Sequence, residues 1–220
     1  ILEGNRESPS TIQKAMMDYM ITCGIKWWRK WNKTGQSEKP SISDIERSYE
    51  HHAMMVHLSL IKENQKSVRQ IVEMEWPKAV ENYKSFDLET SPENHPFRER
   101  WKLQLERSRA LKRIQSLPFS DIAYFIDCCL EITTKPIFDH RSGSPYSFYP
   151  GKPWIYLLNS DDEGMELQYD KNKPREILTK RAAIIVGGNI LSRGLTIEGL
   201  CVTVFGRTAA QEMGDTVLQR

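Results

Sequence analysis

Three short, unbroken apolar runs constrain this chain more than any other feature: Trp154-Ile155-Tyr156-Leu157-Leu158, Ala182-Ala183-Ile184-Ile185-Val186 and Cys201-Val202-Thr203-Val204-Phe205. Turn residues bound each run, and each is too short for an ordinary helix. A strand wetted on one face alternates apolar and polar residues. A continuous run instead indicates burial on both faces, as in a parallel sheet covered by helices. The stretch from Gly187 to Leu200 is long enough for a parallel crossover between the last two runs. An earlier run, Ala53 to Ile61, suits another buried strand, although spacing alone leaves a helix open there.

Helical patterning surrounds these runs. Ser8-Pro9-Ser10 ahead of Thr11 is a helix start. Ile12, Ala15, Met16, Tyr19, Met20, Cys23 and Trp27 then recur at helical spacing, which predicts one buried face. A polar loop is expected from about Thr34 to Asp44. Lys62 to Trp76 reads as a helix interrupted at Pro77. Pro92 and Pro96 mark a loop before a helix from about Phe97 to Gln115. A further helix, Ile122 to Ile132, is expected with Ser120 or Asp121 as its cap. The expected organisation is an N-terminal helical segment over 1–50 and an α/β lobe over 51–220. A helical insertion over about 62–135 would separate the lobe's first and second strands.

Composition narrows the class without naming a function. Of 220 residues, 39% are hydrophobic and 27% charged, with a net charge of +2, as in an ordinary globular chain. Cys23, Cys128, Cys129 and Cys201 form neither a disulfide framework nor a zinc-ligand spacing, so reduced, buried thiols in a cytoplasmic protein are expected. No apolar run approaches the ~20 residues needed to span a bilayer, so no membrane partner is expected. The chain opens without Met or a secretory signal and stops at Arg220 within a helical pattern, which reads as part of a longer protein.

The chemistry concentrates after the second of the three runs. Its strand ends in Gly187-Gly188, and ligands of open α/β sheets bind at the carboxyl ends of strands. Glycines there allow close approach to a phosphate. Ser192, Arg193 and Thr196 follow, supplying hydroxyls and a fixed cation that suit phosphate oxygens. The next strand closes with Gly206-Arg207-Thr208, and Asp215 caps a helix bearing Gln219-Arg220.

This order of a strand, a Ser-Arg-Gly-Leu-Thr loop, a strand and a Gln-Arg helix resembles motifs five and six of superfamily-two helicases. The closer resemblance is to the Z-one domain family, itself similar to the second RecA-like lobe of those helicases. It rests on Gly187-Gly188, on Leu191 through Thr196, on Glu198-Gly199-Leu200, on Asp215 through Gln219, and on His52 through Ser59 at the first strand. The resemblance implies a RecA-like, P-loop NTPase-type fold acting on DNA with ATP and Mg, with bacterial defence, restriction or endonuclease associations. It implies that Gly187, Gly188, Ser192, Gly194 and Thr196 bind the cofactor, and that Arg193, Gln219 and Arg220 serve catalysis. The arginine finger of such helicases would lie beyond Arg220.

No phosphate-cradling Gly-x-x-x-x-Gly-Lys-Ser/Thr run is present: Pro153 follows Gly151-Lys152, and Tyr146 stands where that run needs glycine. Asp161-Asp162-Glu163 comes two positions late for a metal-binding strand end. An N-terminal ATP-binding lobe elsewhere is therefore an expected partner.

For DNA, the basic excess of Arg98, Arg100, Lys102, Arg107, Arg109, Lys112 and Arg113 suits a phosphate backbone, and a solvated helix face is the equal alternative. Trp27, Trp28 and Trp31 among Lys26, Arg29, Lys30 and Lys33 offer stacking platforms, with packing favoured because Trp27 and Trp31 share a face with Met20 and Cys23. His51, His52 and His57 read as structural. The rival to a motor lobe is a non-catalytic adaptor that binds DNA or protein. A free-standing nuclease would need a metal-binding acidic cluster.

Overall fold

Ser10 sets the first helix by accepting a hydrogen bond from the Gln13 N–H while the Gln13 Oε1 accepts one from the Ser10 N–H, a reciprocal cap. In the computed structural model, which describes residues 10–48, 51–58, 62–110, 117–131, 153–158, 182–187 and 197–205, this helix, α1, spans Thr11–Asn32. One buried face was the expectation. Instead Met16, Met17, Asp18, Tyr19, Met20 and Ile21 are all buried, so the middle of the helix is enclosed on every side.

Two layers enclose it. A four-stranded parallel sheet has the order β2-β3-β1-β4, with β1 at His52–His57, β2 at Trp154–Leu158, β3 at Ala182–Gly187 and β4 at Leu200–Phe205. The three apolar runs and the earlier one thus form one sheet. Its register sets Ile155, Ile184, Met54 and Val202 in one row, and Leu157, Val186, Val56 and Val204 in the next. Both rows belong to the core that α1 shares. On the opposite face Ala183 and Ile185 are buried, whereas Thr203 is exposed.

Among the described residues, three helices lie between β1 and β2: α3 (Lys62–Lys84), α4 (Pro96–Ala110) and α5 (Phe119–Glu131). α3 lies beside α1 and adds Val68, Val72 and Trp76 to the core, Trp76 meeting Tyr19 edge-on at 6.1 Å. α4 and α5 close over α1 with Phe97, Trp101, Ile122, Phe125 and Ile126. At Gly24 the backbones of α1 and α5 come so close that a Cβ would lie 2.8 Å from the Ile122 carbonyl oxygen.

Several local expectations are corrected. Pro77 does not interrupt α3, because it sits on the exposed side between the buried Trp76 and Ala79, where water can replace its missing N–H. The loop expected to Asp44 is cut short by α2 (Ile42–Ser48), whose first turn is fixed by Ser41 and Asp44 bonding reciprocally. α5 starts before its expected caps: the N–H groups of Asp121 and Ile122 both reach the Pro118 carbonyl, and Asp121 pairs with Lys39 at 2.6 Å. The expected continuation of α4 to Gln115 lies outside the described residues.

Gly199 precedes β4 with φ +70°, and a Cβ there would stand 1.9 Å from the His51 carbonyl oxygen. Gly199→Ala should therefore cost about 3 kcal/mol or more in urea unfolding, combining left-handed strain with a backbone clash. A loss below about 0.5 kcal/mol would mean the turn rearranges freely.

Candidate functional site

With all four described strands parallel, the carboxyl ends His57, Leu158, Gly187 and Phe205 share one edge of the sheet. Gly187 is buried there, opposite Leu158. The ring of His57 stands edge-on to Phe205 at 4.7 Å and 87°. Of the residues singled out from the sequence, Gly187 is on this edge, and Gly188 follows it in the chain. Gly188, Ser192, Arg193, Gly194, Thr196, Gln219 and Arg220 lie outside the described residues.

The other end of the same motif is anchored at the opposite, amino edge. Ile197 to Gly199 form a turn in which the Leu200 N–H reaches the Ile197 carbonyl at 3.4 Å, while the Ala53 N–H donates to Gly199 at 2.9 Å. Glu198 pairs with His51 at 3.4 Å, and Lys26 donates to the His51 carbonyl at 2.7 Å. Gly187 therefore ends β3 at one edge of the sheet, and the turn at Ile197–Gly199 lies at the opposite edge. Sequence reading named Glu198-Gly199-Leu200 as part of a pattern but not its conformational role. Gly immediately before an apolar run was the available signal.

Beside this turn, α1 meets the strands through polar contacts that sequence reading did not assemble. The Tyr19 hydroxyl donates to the His52 carbonyl at 3.0 Å, and His52 Nε2 donates to the Tyr19 carbonyl at 2.8 Å. One extra residue in β4, Cys201, falls between the pairs Ala53–Leu200 and Met54–Val202. This bulge turns its sulfur towards α1, 3.1 Å from the Ala53 carbonyl, 3.4 Å from His52 Nε2 and 3.5 Å from Thr22 Oγ1. Cys201 is exposed as a residue while its sulfur is enclosed, and the sulfur's contacts govern its chemistry.

A Cys–His pair invites a catalytic reading, which the electrostatics oppose. Burial pushes the Cys201 thiol up to about 12 and lowers His52 from 6.5 to about 4. Both are neutral near pH 7, and Nε2 already carries the proton it gives to Tyr19, so it cannot take one from the thiol. Tyr19 is likewise held protonated by burial. These groups hold α1 against the sheet. Among the described residues, no group of three or more His, Cys, Asp or Glu is placed to hold a metal ion.

The basic patch divides in two. Arg98 is buried and donates to the Leu88 and Ser91 carbonyls, each at 2.7 Å, clamping the turn before α4. Arg100 forms a two-point pair with the buried Asp18 of α1, one arm at 2.9 Å. Lys102 pairs with Glu93. Arg107 and Arg109 are exposed on the last turn of α4, and Lys112 and Arg113 lie outside the described residues. In the tryptophan cluster, Trp27 and Trp28 are buried, and Trp31 packs on Phe125 while donating to the Glu38 carbonyl at 2.8 Å. Packing accounts for all three, although Lys30 also lies over the Trp27 ring at 4.8 Å.

A family model described as the Z1 domain matches residues 11–220. The chain belongs to the Z1 domain family. Comparison with curated proteins and with solved structures gives no match. The Z1 match begins at the first residue of α1, so the enclosed helix and the sheet fall within one family unit. No helix among the described residues is long and apolar enough to cross a membrane.

Two outcomes test these assignments. The folded Z1 domain keeps His52 neutral down to about pH 4, whereas the unfolded chain takes up that proton near 6.5. The His52 contribution is therefore complete above pH 6.5 and lost as pH falls towards 4, by on the order of 3 kcal/mol. Urea midpoints across that window should fall accordingly, and His52→Asn should flatten the dependence. Separately, Arg100→Ala should cost about 3 kcal/mol by stranding the Asp18 carboxylate, while Arg107→Ala with Arg109→Ala should change stability by less than about 0.5 kcal/mol. Equal losses from the two would erase the division of the patch.

Proposed function

We propose that this Z1 domain is the second, RecA-like lobe of an ATP-dependent, DNA-acting protein of the cytoplasm, of helicase or endonuclease type and serving bacterial defence or restriction. The observation that carries the reading is the all-parallel sheet whose central strand β3 ends in Gly187 at the carboxyl edge, immediately before Gly188 and the Ser192-Arg193-Gly194-Leu195-Thr196 segment. Open parallel sheets bind ligands beyond that edge. Backbone amides of a glycine-rich turn, the Ser192 and Thr196 hydroxyls and the Arg193 guanidinium are suited to phosphate oxygens. A neighbouring lobe would bring the phosphate-cradling loop and Mg, and ATP would supply the free energy. On this reading Gly187, Gly188, Ser192, Gly194 and Thr196 line the nucleotide side. Arg193 couples nucleotide to DNA, and Gln219 and Arg220 face the cleft. Arg107, Arg109, Lys112 and Arg113 contact the DNA backbone, a role that the exposure of Arg107 and Arg109 supports.

The test is ATP hydrolysis by the protein that carries this domain, with and without single- and double-stranded DNA. DNA should stimulate turnover, and Arg193→Ala should reduce the stimulated rate at least about tenfold with unchanged melting. DNA binding without nucleotide dependence or turnover would overturn the motor and leave the adaptor.

A further inference from the structure

Cys23 on α1 and Cys129 on α5 bring their sulfur atoms to 3.2 Å, although 106 positions separate them in the chain. A hydrogen-bonding thiol pair alone would explain little. The approach is imposed by the helices, because Gly24, next to Cys23, lets α5 press its Ile122 and Ile126 against α1 without a side chain between. Cys129 follows Ile126 on the same stripe of α5, at the three-to-four spacing of that face. The sulfurs are thus held together by backbone packing, and a small rotation closes a bond of about 2.05 Å.

Access is unequal in a useful way. Cys23 is 3% exposed, whereas Cys129 is only half-buried, which makes Cys129 the more accessible residue of the pair. Cys128, next in sequence, is buried. Cys201 lies nearby, touching Thr22 beside Cys23 on α1, but its sulfur is occupied by the Ala53 carbonyl and Thr22.

We propose that Cys23 and Cys129 form a peroxide-reactive dithiol that closes to a disulfide between α1 and α5. The Cys129 thiolate attacks one oxygen of hydrogen peroxide, breaking the O–O bond and leaving a sulfenic acid and hydroxide, which takes up the thiol proton as water. The Cys23 sulfur then attacks the Cys129 sulfur, forming the S–S bond and expelling a second water. Two thiols lose two electrons, and one peroxide becomes two waters. A small thiol such as dithiothreitol reverses the step by exchange. Oxidation therefore ties the enclosed helix to one of the two helices that cover it.

The experiment treats the protein, in its native buffer, with a small excess of hydrogen peroxide. Digestion under non-reducing conditions and mass spectrometry then follow. The expected result is one cross-linked peptide pair joining Cys23 to Cys129, lighter by two hydrogens than its parts and lost on adding dithiothreitol. Its melting temperature should rise on oxidation and return on reduction. Cys129→Ser should abolish both effects, while Cys201→Ser should leave them. A cross-link through Cys128 or Cys201, or higher oxidation of Cys129 without any cross-link, would overturn the assignment. Because the peptide map is made on the unaltered protein, a poorly folding variant would not obscure the result.

Discussion

The fold depends on a helix whose middle, Ala15 to Ile21, is buried throughout. α1 carries a buried carboxylate, Asp18, in its middle, and a buried charge is tolerable only with a partner supplied by the fold. Arg100 of α4 is that partner. The sheet takes the other side through Tyr19, His52 and Met54, so α1 is the common wall between the parallel strands and the helical layer. Removing any one layer would expose a surface rich in Met16, Met17, Met20 and Ile21.

The sheet shows what physical patterning can convey. Continuous apolar runs at 154–158, 182–186 and 201–205 did form parallel strands, but burial on both faces holds for 182–186, whereas 201–205 lies at the sheet edge with Cys201 and Thr203 exposed. The enclosure of α1 was legible only in part, since helical spacing reveals one stripe while Met17, Asp18 and Ile21 owe their burial to distant partners. The continuation of α3 through Pro77 was not legible, because the tertiary setting decides whether a proline falls on a solvent side.

The candidate site was less readable for a related reason. Charge counted along Arg98–Arg113 overstated the free cations, because a pattern of residues does not show that Asp18, eighty-two positions earlier, will claim Arg100. His51 and His52, by contrast, have the structural roles expected of them: His52 is a core residue fixed by Tyr19, and His51 serves the turn at Glu198. Gly187 and Gly199 were visible as glycines, but the structure separates their work. One ends a strand at the carboxyl edge, and the other permits a backbone crossing at the amino edge.

The bulge at Cys201 joins the latter part of the chain to its earlier part, since the sulfur it redirects touches Thr22 across 179 positions. A ribosome making this domain releases α1 long before it releases β4. The methionine-rich helix can be covered by α3, α4 and α5 first, but its flank at Thr22 stays open until β4 emerges and docks. High sequence separation of this kind slows folding and lengthens exposure to chaperones and to other nascent chains. The bulged strand is thus the clasp that ends a vulnerable interval in the life of the new polypeptide.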